Sequence, residues 1–110
     1  MITQEVIEFI ERRFKQDCNW KTGNCYYFAL ILCDRFKQYN PEIYYDAVDG
    51  HFLCMINNIF YDWGGAVSFS DEYVSKYVEK WSDICKEDPI WYSRIVRDVI
   101  LWKDIKQDIV

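Results

Sequence analysis

A chain of 110 residues with a formal charge of −5 can bury one core, and it is too acidic to offer nucleic acid a dominant basic face. Hydrophobic residues make up 51% and aromatics 19% of it, which excludes a disordered chain. The cysteines, Cys18, Cys25, Cys33, Cys54 and Cys85, are odd in number and form no C-x-x-C pair. Neither a disulfide framework nor a four-ligand zinc site is therefore expected, and a reducing, cytoplasmic setting is. No N-terminal apolar segment reads as a signal peptide and no run approaches a membrane span, so no membrane partner is expected.

Taken in order, Thr3 can cap a first helix running to about Gln16, with Val6, Phe9, Ile10 and Phe14 on one face. Residues 17–24 are a loop by composition. A second helix is predicted from Asn24 or Cys25 to about Tyr39, with Asn24 as N-cap and Phe28, Ala29, Leu32 and Phe36 as its buried stripe. Asn40-Pro41 ends it, because a residue before proline avoids helical angles. Strands follow at 42–48, 51–56 and 59–63, the last two joined by a tight Asn57-Asn58 turn and closed by Gly64-Gly65. Ser70 caps a helix whose core face is Tyr73, Tyr77, Val78, Trp81 and Ile84. Asp88-Pro89 starts a last helix carrying Trp91, Ile95, Val99 and Trp102. The β-branched stretch from Arg94 to Trp102 also suits a strand, so residues 89–108 stay open between the two. The expected class is α+β in a single domain of residues 1–110, with N-terminal helices on a small antiparallel sheet and C-terminal helices beyond.

Chemistry concentrates between residues 24 and 65. Cys25 stands at a predicted helix start, where unpaired amides and the helix dipole lower a thiol pKa and can hold an oxyanion. His51 is the one histidine, and Asp62 lies on the next strand. A symmetric turn at Asn57-Asn58 makes opposed residues sum to 115, which puts His51 and Asp62 on one face as diagonal neighbours. Cysteine, histidine and acid in this order are the parts of a thiol nucleophile, its base and the base's orienter. Taken singly, each has a plain alternative: a buried cysteine, a structural histidine, a turn aspartate. A metal held by the same three residues fits less well than acid–base chemistry, and no cofactor is expected.

The segments Asn24-Cys25, Gly50-His51-Phe52 and Tyr61-Asp62-Trp63-Gly64 resemble the papain-like superfamily in its minimal form. That group includes papain-like peptidases, peptidoglycan endopeptidases of the NlpC type, transglutaminase-like proteins and arylamine acetyltransferases. The resemblance covers about residues 17–65 and implies a papain-like core, with Cys25 as nucleophile, His51 as base and Asp62 as orienter. Such enzymes often carry a glutamine six residues before the cysteine as an oxyanion donor; here that position is Asn19, which could equally cap a turn. The oxyanion and substrate-facing set is then Asn19, Trp20, Asn24, Tyr26 and Trp63. Two departures stand out: only 25 residues separate Cys25 from His51, and Tyr26 replaces the usual small residue or tryptophan after the nucleophile. The stretch Trp20 to Tyr27, with the later Gly-His-Phe and Tyr-Asp-Trp-Gly, is also similar to small proteins of bacteriophages and mobile elements.

Two functions are expected from this reading. One is a thiol hydrolase or acyltransferase of peptidase, amidase, deamidase or transglutaminase type, acting on a peptide or protein through a thioester. The other is a papain-like binding module without catalysis, for example a phage or mobile-element protein that blocks a host or defence protein. Peptidoglycan cleavage is disfavoured by the acidic charge and by the lack of a wall-binding domain or signal peptide. Substrate identity and oligomeric state stay open.

Overall fold

A computed structural model describes residues 2–14 and 24–100. Helix α1 (Ile2–Arg13) buries Val6 and Ile10, and Phe14 follows them into the core. Thr3 lies inside this helix rather than capping it, and the predicted end at Gln16 falls outside the described residues. Helix α2 (Asn24–Arg35) presents Phe28, Ala29 and Leu32 to the same core, with Phe36 just beyond its end. The rings interlock edge to face: Phe14 meets Phe28 at 4.7 Å between centroids and Phe9 meets Phe36 at 5.6 Å. α2 stops four residues before the predicted Tyr39. A single 3₁₀ turn (Lys37–Tyr39) follows, closed by Asn40 at φ 53°, the left-handed cap that an asparagine can adopt ahead of Pro41.

The sheet has five antiparallel strands in the order β4-β3-β2-β1-β5. They are β1 (Glu42–Asp46), β2 (His51–Ile56), β3 (Ile59–Asp62), β4 (Gly65–Val67) and β5 (Val78–Lys80). β1 ends two residues early because Asp46 opens a turn: its Oδ1 accepts from the Val48 N–H at 3.0 Å and its carbonyl accepts from the Gly50 N–H at 2.9 Å. Asn57 and Asn58 have φ of 51° and 65°, the two positive angles of a type I′ turn. Cys54 pairs with Tyr61, Met55 with Phe60 and Ile56 with Ile59, each pair summing to 115 as the symmetric turn requires.

Two expectations are corrected and one open choice is decided. Gly64-Gly65 does not close the hairpin: Trp63 and Gly64 form a turn, and Gly65 (φ 121°) opposite Asp62 begins the unforeseen strand β4. The helix from Ser70 through Ile84 is two helices, α3 (Asp71–Tyr77) and α4 (Trp81–Glu87), with β5 between them. β5 forms because β1 would otherwise be an open edge; Asp46 pairs with Val78, Tyr45 with Glu79 and Tyr44 with Lys80, and this pairing overrides the helical spacing. Residues 89–100 are helical, as α5 (Pro89–Ile95) continued by a π-turn (Val96–Ile100). Two of the predicted caps hold: Ser70 Oγ accepts from the Tyr73 N–H and Asp88 Oδ1 from the Trp91 N–H, both at 3.1 Å.

The sheet's two faces differ. Tyr45, Phe52, Cys54, Ile56 and Tyr61 point into the core shared with α1 and α2. Tyr44, Asp46, Leu53, Met55 and Phe60 alternate to the opposite face, where α3 lies. The class is α+β, with N-terminal helices, then the sheet, then C-terminal helices. Among the described residues no helix is long and apolar enough to cross a membrane.

Candidate functional site

Cys25 extends the buried stripe of α2 back by one turn, at spacings of three, four and seven to Phe28, Ala29 and Leu32. Its side chain has no solvent exposure. The backbone N–H groups of Phe52, Tyr26 and Cys25 itself act on the sulfur and favour a thiolate, yet burial outweighs them and the thiol pKa is raised. This reverses the expectation of a lowered pKa: a helix N-terminus lowers a thiol only where the charge is not also stripped of water. The Phe52 group is available because the β2–β3 ladder stops at Cys54–Tyr61, so β3 does not pair with the start of β2.

The sulfur thus meets β2 one residue from His51. The imidazole leaves the strand on the other side of the pleat, beside Gly50 (φ 67°), and is half-buried. It stands edge-on to the Trp63 indole, with centroids 5.1 Å apart. Asp62 Oδ1 accepts from the Gly64 N–H at 2.7 Å. Its pKa is raised by burial, against the opposing pull of that N–H and of the His51 charge. Asp62 and His51 are therefore in electrostatic reach, though no hydrogen bond joins the imidazole to Asp62 or to Cys25 among the described residues.

Of the other candidates, Tyr26 is half-buried and packs on Phe52 at 4.9 Å and Trp81 at 6.2 Å, so it walls the inner side of the site. Asn24 is the first residue of α2, and Asn19 and Trp20 lie outside the described residues.

One residue escaped the sequence reading. Tyr45 is opposite Phe52 in the β1–β2 register, and its hydroxyl lies 3.6 Å from where a side chain on Gly50 would begin. Its pKa is pushed up to about 12, by burial first and then by the nearby Cys25 and Asp46 charges. The hydroxyl therefore reaches the thiol's neighbourhood from the core side. The signal was available only through the β1–β2 register, which hangs on the turn at 47–50.

Among the described residues no group of histidine, cysteine and acid is arranged to hold a metal. No curated protein and no solved structure matches the chain. A family model described as phage YunG-like protein matches residues 3–100, which span the helices from Thr3 onward, the whole sheet and every described candidate residue. That match bears out the resemblance to small phage proteins, and the chain belongs to the phage YunG-like protein family.

Proposed function

We propose that this protein is a cysteine-nucleophile hydrolase or acyltransferase, of peptidase, amidase or deamidase type, built on Cys25, His51 and Asp62. The observation that carries the reading is the setting of one sulfur. Three backbone N–H groups converge on it at the head of a helix, and the next residue along β2 is the chain's single histidine, within reach of the Asp62 charge. In the reaction, the His51 imidazole must first swing from the Trp63 side of β2 round the start of the strand to the sulfur; it then takes the Cys25 proton and the sulfur attacks an acyl carbon. The Cys25 and Phe52 N–H groups face the oxygen that becomes negative, and the leaving amine departs with the proton from His51. Water or an amine then resolves the thioester. Asp62 favours the imidazolium that forms between the two transfers. Because the sulfur is fully buried, acylation requires the site to open.

That same burial favours a second reading, in which the scaffold serves as a protein-binding module and Cys25 is a core residue. Acylation by p-nitrophenyl acetate and alkylation by iodoacetamide, followed peptide by peptide across pH, separate the two. The enzyme reading expects Cys25 to be acylated and His51→Ala to abolish it. The binding reading expects Cys25 to react more slowly than the half-buried Cys33 and Cys85, with no effect of His51→Ala.

A further inference from the structure

Cys33 and Cys54 are absorbed by neither reading. Cys33 lies on α2 eight residues beyond Cys25, about 12 Å along the helix axis. Cys54 lies on β2 three residues beyond His51. Their sulfurs face each other at 3.0 Å, and both are free thiols. A disulfide has sulfurs about 2.05 Å apart, so closure asks for an approach of about 1 Å. Cys33 is half-buried and open to a small reagent, while Cys54 is sealed in the core. We infer that Cys33 and Cys54 are an oxidation site: a peroxide converts the facing thiols to a disulfide that pins α2 to β2.

The chemistry balances with hydrogen peroxide as oxidant. The Cys33 sulfur attacks one peroxide oxygen, the O–O bond breaks, and the products are a sulfenic acid and water. The Cys54 sulfur then attacks the Cys33 sulfur. The S–O bond breaks, the hydroxide leaves with the Cys54 proton as a second water, and the S–S bond forms. Two thiols are oxidised and one peroxide is reduced to two waters. Cys54 takes the second role by position: it is sealed in the core with its sulfur 3.0 Å from that of Cys33, so the sulfenic acid forms directly beside it. The bond would close a loop between positions 21 apart in sequence, a span for which cross-linking restricts the unfolded chain. It would also fix the helix bearing Cys25 against the strand bearing His51. The inference stands whether or not those residues are catalytic.

The full chain is treated with hydrogen peroxide, unfolded in N-ethylmaleimide and mapped by peptide mass. The expected result is one linked peptide pair joining Cys33 to Cys54 within a chain, with two thiols fewer alkylated than in the untreated protein. The thermal midpoint rises by several degrees and returns with dithiothreitol. Cys33→Ser, at the half-buried position, removes both the link and the rise, and Cys54→Ala does the same if it folds. Peroxide that leaves Cys33 and Cys54 alkylatable while consuming Cys85 overturns the inference. So does Cys33 ending as a sulfinic acid beside a free Cys54, or a link between two chains.

Discussion

The two faces of the sheet are built from the same strands and do different work. The face toward α1 and α2 is dry and aromatic: Phe52 alone meets the rings of Tyr26, Tyr45 and Trp81, each at about 5 Å. The face toward α3 is half-covered and holds a buried carboxylate, Asp46, only 2% exposed, whose two oxygens accept from the Tyr73 hydroxyl at 2.9 Å. Beside it runs a groove of about 630 Å³ lined by Tyr44, Met55, Phe60, Phe69 and Val74 among others. Stability therefore rests on the inner face. The candidate site lies where the two faces meet at the start of β2, its thiol on the dry side and its imidazole and carboxylate on the wetter one.

The largest expected effect tests that asymmetry directly. Phe52→Ala should cost about 3–5 kcal/mol in urea denaturation, because the ring is fully buried among other rings. Met55→Ala, three residues along β2 on the half-covered face, should cost under about 2 kcal/mol. Equal losses would break the comparison.

Asp46→Ala should come next, at about 1–3 kcal/mol, since it removes the acceptor for the Tyr73 hydroxyl and for the Val48 N–H. The Tyr73 contact also carries a pH signature. Its pKa is pushed up to about 12, through loss of hydration and the hydrogen bond to Asp46, from an ordinary value near 10. A tyrosine raised in the folded state stabilises fully below pH 10 and loses that contribution as pH climbs to 12. The stability gap between wild type and Tyr73→Phe should close across that window, and phenolate absorbance should lose one late-titrating tyrosine in Tyr73→Phe while Tyr45 still titrates late.

A smaller effect is expected at the turn that assigns residues to faces. Asn58 sits at φ 65°, so Asn58→Gly should gain under about 1 kcal/mol by relieving left-handed strain. A loss would mean the asparagine side chain contributes more than its backbone freedom.

At Asp62 the sign is the test. Burial raises its pKa, so the folded state favours the protonated acid, and the cost of the charged form is present at neutral pH and vanishes as pH falls through the folded value. Asp62→Asn keeps an oxygen for the Gly64 N–H and should be at least as stable as wild type at pH 7, with the advantage fading as pH falls through the raised folded value and gone by about pH 4. A destabilised Asp62→Asn at pH 7 would mark the carboxylate as structural.

Much of this was readable from local chemistry. Asn57-Asn58 set the β2–β3 register, Ser70 and Asp88-Pro89 placed two helix starts, and Phe28, Ala29, Leu32 and Phe36 marked the inner face of α2. Even the burial of Cys25 was implicit, since it falls on that stripe, but the helix start drew attention to its charge instead. What local spacing could not show was pairing at a distance. Tyr73, Tyr77, Val78, Trp81 and Ile84 recur at a helical period, and only the open edge of β1 turns Val78–Lys80 into a strand. Gly64-Gly65 read as an ending because β4 is three residues long and supplies little pattern of its own. Tyr45 was invisible as a neighbour of Cys25 for the same reason: the two meet only through the tertiary fold.

The placement of β5 also bears on how the chain assembles. β1 to β4 are successive hairpins, each closable by its own short turn, whereas β5 must return across the loop and α3 to reach β1. Local contacts form first and long closures last. During synthesis, then, the outer edge of β1 stays without a neighbour until residue 80 is free to fold, and Tyr44 and Tyr45 on that edge are the point at which two nascent chains would stick together.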